Sequence, residues 1–284
     1  MLAAVLALVG YAIFSGMDTV VKLLSARLPP VEILFFVSLL APLPGVALAM
    51  ARGQAWRLRP RSWGLQILRG FCMLIGAGSA FTAYAILPLA DAYAIAFTQP
   101  LITALIAIPI LHERIGWRRW AAITFGFLGV LVVLRPGGGL ALAGVLAACM
   151  NALFVSMANV LIRRMDPRET AEACLLMHSL CVAAGTALIL PWLWQTPTSG
   201  EVTLLLLAGA ANGVAFLLVI LAFQLAQAAF AAPFQYSQML YAILAGLLIF
   251  GDQPSLGMLL GAVIVIASGL YILTEERRRA GSTD

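Results

Sequence analysis

The sequence predicts an all-α integral membrane protein with ten transmembrane helices, arranged as two inverted five-helix repeats. Three observations carry this: the composition, the spacing of apolar runs, and a self-similarity at a shift of about 140 residues. Of 284 residues, 63% are hydrophobic and 10% charged, and the mean hydropathy is +1.02. A soluble domain is about 45–50% apolar and about 25% charged. That contrast excludes a soluble enzyme, a disordered chain and a disulfide-rich secreted domain.

A spanning helix needs about 20 mainly apolar residues. Runs at roughly 2–24, 31–51, 65–87, 91–111 and 117–134 meet this in the first half, and 140–162, 171–193, 201–222, 228–250 and 256–274 in the second. The first run is apolar from Met1, lacks a basic leader, and is interrupted by Ser15, Asp18 and Lys22. It therefore reads as a retained helix and not a cleaved signal peptide. The second follows the sequence Leu28-Pro29-Pro30, and the fourth contains Pro100. From Val202 to Gly251 there is no charge, a stretch too long for one helix; Gln224, Gln227 and Pro233 mark its break into spans eight and nine.

The basic residues orient the chain. Arg52, Arg57, Arg59, Arg61 and Arg69 surround the link after span two, Arg114, Arg118 and Arg119 follow span four, Arg163, Arg164 and Arg168 follow span six, and Arg277, Arg278 and Arg279 follow span ten. That is 14 of the 17 Lys and Arg residues on one side. Arg27 and Arg135 fall on the other side, and Lys22 lies within span one. The bias predicts a multi-pass protein of the cell (inner) membrane with both termini cytoplasmic. Such clusters form no continuous basic stripe, so nucleic acid is not an expected partner. Cys72, Cys149, Cys174 and Cys181 all lie in apolar stretches and are expected as reduced packing residues. No metal-ligand spacing occurs, and neither a metal nor a cofactor is expected. The six tryptophans, Trp56, Trp63, Trp117, Trp120, Trp192 and Trp194, lie near span ends as interfacial anchors.

Self-comparison divides the chain into a repeat at 1–138 and a second at 139–284, together one transmembrane domain. At a shift of 139, Tyr84 meets Phe223, Gln99 meets Gln238, Leu101 meets Leu240 and Glu113 meets Asp252. At 140, Ala12 meets Ala152, Phe14 meets Phe154, Met17 meets Met157 and Glu32 meets Glu172. Five spans is an odd number, so the second repeat enters the membrane from the opposite side. Inverted repeats of this kind are typical of secondary transporters, with the substrate site near the midplane.

These features carry a resemblance. Five plus five spans, Lys22 late in span one, the Leu28-Pro29-Pro30 entry to span two and a proline-containing fourth span ending in His112-Glu113-Arg114-Ile115-Gly116 resemble the drug/metabolite transporter superfamily. Within it the chain is similar to EamA-type exporters, and its size suits the bacterial YddG-like amino-acid exporters. The resemblance implies export of small metabolites. Many members carry an arginine in span two where Val37 stands here, and no role of that arginine carries over.

Polar groups inside a membrane tend to face a cavity or one another. Tyr11, Ser15, Asp18 and Lys22 share one face of span one. Asp18 and Lys22 are four apart with the acid first, the better order for a helical ion pair. They read either as a buried coupling or structural pair, or as a snorkelling Lys22 beside an Asp18 that faces the cavity alone. Gln99 and Gln238 occupy matching places; an amide donates and accepts and so suits a zwitterion or a neutral polar group, though packing glue between helices uses the same chemistry. Tyr241 follows Gln238 by three residues, and Asn151 mirrors Tyr11. Met73, Ala77 and Tyr84 mirror Asn212, Phe216 and Phe223, whose stripe favours bulky apolar solute groups if it lines the cavity. The expected substrate-binding set is Tyr11, Tyr84, Gln99, Asn151, Phe216, Phe223, Gln238 and Tyr241. Glu113 and Asp252 read as turn or gate residues, Glu32 and Glu172 as acids at helix starts, and His178 as a structural or proton-carrying group.

The expected function is a secondary transporter that exports small organic solutes, foremost amino acids, including aromatic or bulky neutral ones, as a monomer in the bilayer. Export of other metabolites or cationic drugs, and a channel-like pore, are the alternatives. No phosphate-binding loop of the GxxxxGK[ST] type occurs, so ATP is not the expected fuel. A membrane enzyme would need clustered nucleophiles, carboxylates or histidines, and with two histidines no enzyme is expected. Proton coupling through Asp18 or His178 and plain facilitated diffusion both remain open.

Overall fold

In hydrocarbon the backbone must satisfy its own polar groups, and helices do so within one segment. The computed structural model describes residues 1–111, 117–134, 141–225 and 232–280, and every regular element among them is helical. In order these are α1 (Leu2–Leu24), α2 (Pro30–Leu40), α3 (Leu43–Ala51), a 3-10 turn (Ala55–Leu58), α4 (Trp63–Ile86), α5 (Leu89–Ala96), α6 (Gln99–Leu111) and α7 (Trp117–Leu134). The second half supplies α8 (Leu142–Ile162), α9 (Ala171–Leu193), α10 (Ser199–Leu225), a 3-10 turn (Ala232–Tyr236), α11 (Ser237–Ala245), a π turn (Gly246–Phe250) and α12 (Leu256–Ala280). Among the described residues seven segments are long and apolar enough to cross a membrane, and Trp120–Val133, Phe234–Phe250 and Leu256–Tyr271 are shorter apolar helices.

Two of the expected spans are broken. The second divides at Ala41–Pro42, where Pro42 has no N–H to give the Ser38 carbonyl; the Ser38 hydroxyl instead donates back to the Leu34 carbonyl at 2.7 Å. Gly213 of α10 seats this break, since a Cβ there would collide with the Ala41 carbonyl and with Pro44. The fourth span divides at Phe97–Thr98, just before Pro100, whose fixed φ and missing N–H suit the first turn of α6. The eighth and tenth spans, α10 and α12, run further than expected, to Leu225 and Ala280.

α1 packs along α10, α4 along α8, α2 against α9, and α7 along α12. The last pair crosses at glycines: a Cβ on Gly261 would meet the Gly129 carbonyl at 2.5 Å. Small residues at such crossings let membrane helices approach closely. The outward faces carry exposed Phe125, Leu131, Leu188, Leu207, Leu248 and Leu260, and all six tryptophans are exposed. All four cysteines are free.

Candidate functional site

A cavity of about 370 Å³ lies between the two halves of the chain, within the range of about 300–1,000 Å³ usual for small-molecule sites. Tyr11, Ser38, Met73 and Gln99 face it from α1, α2, α4 and α6, and His178, Ser179, Phe216 and Gln238 from α9, α10 and α11. Tyr11, Met73, His178, Ser179 and Phe216 fall along the middle of their helices, whereas Ser38 lies in the last turn of α2 and Gln99 and Gln238 in the first turns of α6 and α11. A larger groove of about 480 Å³ between α7 and α12 is walled mainly by apolar groups, with Trp117, Ser268 and Tyr271 as the polar ones. Its Phe125 and Val263 are exposed on the lipid-facing surface, and it lacks convergent polar groups.

Within the cavity the two amides differ. Gln99 donates to Asn151 Oδ1 at 3.2 Å, and Asn151 donates onward to the Gly76 carbonyl at 3.0 Å. The Gln99 carbonyl accepts from Ser156 at 2.9 Å. Gln99 is thus held by α8, whereas the Gln238 side chain has no hydrogen bond among the described residues and is the freer donor and acceptor. Phe14, Phe81, Phe216 and Met73 give the rest of the wall its apolar character.

Beyond the cavity, toward the ends of α1 and α4, the interior is closed by aromatic rings. Tyr93 donates to the buried Asp18 carboxylate. Its ring stacks on Phe97 at 5.9 Å and meets Tyr84 edge-on at 5.8 Å, and Phe97 meets Tyr236 edge-on at 5.1 Å. Past this column Lys22 pairs with Asp252 at 3.0 Å, donates to the Leu87 carbonyl at 3.1 Å and lies 4.5 Å from the Phe250 ring centre. Local structure explains each partner. Leu87 caps α4 ahead of Pro88, which leaves a helix-end carbonyl open to a cation. Gly251 adopts a left-handed φ of 70°, the Asp252 N–H closes back on the Gly246 carbonyl at 2.9 Å, and this C-terminal cap turns the Asp252 side chain toward Lys22.

At the other end of α4 the contacts are polar. Arg57 grips Glu172 with two bonds of 2.9 and 3.1 Å. Glu169 accepts from the Arg61 and Ser62 backbone, and the Ser62 hydroxyl accepts from the Asp166 N–H at 3.1 Å. Arg69 is buried and donates to the Cys174 carbonyl at 3.1 Å.

Four of the expected residues, Tyr11, Gln99, Phe216 and Gln238, face the cavity together. Asn151 stands behind Gln99. Tyr84 belongs to the aromatic column, and Tyr241 reaches the Leu8 carbonyl at 3.4 Å. The Phe223 side chain and Glu113 lie outside the described residues. Of the two readings of Asp18 and Lys22, the structure has neither a bond between them nor an Asp18 on the cavity wall: each side chain finds a partner across the fold, Tyr93 for Asp18 and Asp252 for Lys22. Sequence reasoning passed over Ser38, Ser179, Tyr93 and the burial of Arg69. The shift of 140 sets Ser38 over His178, so extending the comparison to polar non-identities would have found that pair.

Comparison with known proteins gives a consistent set. The EamA-like transporter family matches residues 1–135 and residues 142–274. The S-adenosylmethionine uptake transporter of Rickettsia conorii is 26% identical over 93% of this chain and 90% of its own length. The riboflavin transporter of Rhizobium johnstonii is 31% identical over 72% of this chain and 68% of its own. The pseudopaline exporter of Pseudomonas aeruginosa is 26% identical over 90% of each chain. One crystal structure of a protein superposes with a TM-score of 0.66 at 22% identity, covering 98% of this chain and 97% of that one, and so shares the fold.

Proposed function

The chain belongs to the EamA-like transporter family, and from that premise we propose that it is a secondary carrier for amino acids and amino-acid derivatives with bulky side chains. As a multi-pass membrane transporter it needs a solute site that both sides of the bilayer can reach in turn. The observation that carries the reading is the central cavity, walled by both halves of the chain, with an amide from each. Amides suit a zwitterion, and Phe81, Phe216 and Met73 suit an apolar side chain. S-adenosylmethionine, for which relatives are named, is itself an α-amino acid. The relatives are named for uptake as well as export, so amino-acid export is not their common property, and the net direction is proposed to follow the solute gradients.

The proposed arrangement is ten spans in two inverted repeats, as a monomer in the inner membrane with both termini cytoplasmic. Its support is the pattern of packing. α1 lies along α10 as α4 lies along α8, and α2 meets α10 as α9 meets α4; each contact has a counterpart when the halves are exchanged. The separate family matches to 1–135 and 142–274 agree. Lys22 and Asp252 are proposed as the contact that closes one end of the cavity.

Counterflow in proteoliposomes tests this. Labelled phenylalanine, methionine, S-adenosylmethionine and riboflavin are offered to preloaded vesicles. Saturable counterflow of the first three is expected. Flux of riboflavin alone refutes the amino-acid reading, and unsaturable conductance replaces the carrier with a pore.

A further inference from the structure

Arg69 stands in the second turn of α4 with 5% of its surface exposed. A guanidinium carries five N–H donors and keeps its charge in any protein environment. One donor, on Nη1, reaches the Cys174 carbonyl; Nε is buried without a partner. No carboxylate pairs with it among the described residues, although Arg27, Arg57 and Arg168 pair with Glu201, Glu172 and Asp166. A buried charge without a counter-charge is costly, the more so at membrane depth, where ionisable groups mark solute pathways.

Its position gives that charge a use. Met73 and Ala77 follow Arg69 at i+4 and i+8 on one face of α4, and both wall the cavity. On α9, the Cys174 carbonyl heads the turn that carries Leu175 and His178, also on the wall. Gly70 allows α4 to press against Cys181, where a Cβ would collide with the sulfur. The guanidinium is therefore held between two cavity-lining helices at the arginine-rich end, one turn before Met73 and behind the cavity wall, to which Arg69 itself does not belong.

We propose that Arg69 is the receptor for the solute carboxylate, the counter-charge that the protein does not supply. This rests on the amino-acid reading above and adds the specificity-determining group to it. A planar guanidinium fork matches a carboxylate with two parallel bonds. The α-carboxylate then sits at the Arg69 end, with the side chain against Phe81 and Phe216 and the remaining polar atoms within reach of Gln238. A lysine keeps the charge and loses the fork.

The test compares counterflow of L-phenylalanine with that of L-phenylalaninamide in wild type, Arg69→Lys and Arg69→Gln. Wild type should favour the acid by about tenfold or more, since a hydrogen bond to a charged group is worth about 1.5–3 kcal/mol. Arg69→Gln should lose that preference while still carrying the amide, and Arg69→Lys should fall between. Preference for the acid retained in Arg69→Gln overturns the assignment and leaves the amino-acid reading standing. If wild type carries neither compound, the amino-acid reading fails on its own, and thermal stabilisation of the purified protein decides the fate of Arg69. Stabilisation by benzoate over benzamide, present in wild type and absent in Arg69→Gln, keeps it as a carboxylate receptor. Equal stabilisation by the two compounds, or a difference that survives in Arg69→Gln, removes it from that role.

Discussion

The two ends of the cavity are closed by different chemistry. At the Lys22 end the fully buried large side chains gather: Leu28, Ile33, Leu87, Leu89 and Ile95. Among the described residues two ion pairs lie there as well: Lys22–Asp252 ties α1 to the turn before α12, and the more exposed Arg27–Glu201 ties the chain after α1 to the first turn of α10. At the arginine-rich end the largest fully buried side chain among the described residues is the polar Gln66, and loops are laced by Arg57–Glu172 and the Glu169 bonds. Separating the first end exposes apolar area at about 25 cal/mol per Å². Separating the second exchanges protein hydrogen bonds for water at small net cost. On this balance the Lys22 end is the costlier to separate, and the proposed closing contact, Lys22–Asp252, is where a substitution is expected to cost most.

Lys22→Gln and Asp252→Asn should have the largest effect. Breaking a buried pair costs about 3–5 kcal/mol; the side chains here are 15% and 33% exposed, so about 1–3 kcal/mol is expected after screening. Thermal melts in detergent should show each single variant destabilised and the double variant little worse than either. Asp18→Asn should add to Lys22→Gln, because Asp18 is bonded to Tyr93 and not to Lys22. Additivity for Lys22 with Asp252, and coupling for Lys22 with Asp18, would reverse the contrast between the ends.

The helical class and the inward face of α1 were legible because composition and 3.6-residue periodicity are local properties. That Tyr11, Gln99, Phe216 and Gln238 face one cavity was legible because the polar ones stand out at mid-span and Phe216 falls on an aromatic stripe. The partners of Asp18 and Lys22 were not. Sequence spacing proposes the neighbour four residues away, yet Lys22 joins a residue 230 positions on, brought there by the left-handed Gly251. Arg69 was misplaced for a related reason. An arginine this near the start of the expected span 65–87 counts toward the basic loop, and only the packing of α9 against α4 buries it beside the Cys174 carbonyl. The broken spans were half visible, since Pro42 and Pro100 can be read, but whether a membrane helix kinks or stops at proline depends on what fills the gap, here Gly213.

A second effect sharpens the contrast between held and free groups inside the cavity. Gln99→Ala removes the donor to Asn151 and should cost about 1 kcal/mol of stability as well as transport. Gln238→Ala leaves no described bond broken, so melting should be unchanged while the KM for counterflow rises. Equal destabilisation by both changes would make Gln238 structural glue.

The smallest effects belong to the arginine-rich end. Glu172→Gln weakens a two-bond pair whose side chains are 28% and 18% exposed, and about 1 kcal/mol or less is expected. Asp166 tests the limit. Its hydrogen bonds from Arg168, side chain and backbone, hold its carboxyl below the ordinary aspartate range. A carboxyl held low in the folded state stabilises it at pH values above the unfolded value, and that contribution fades as pH falls through the depressed value. Any loss therefore appears below about pH 4 and none between pH 5 and 8. The Arg168 side chain is 75% exposed, so solvent screens the pair, and Asp166→Asn should leave melting at pH 7 unchanged. A clear destabilisation there would mean that the loops at this end carry closing energy comparable to the Lys22–Asp252 contact, and the two ends would have to be treated as equals.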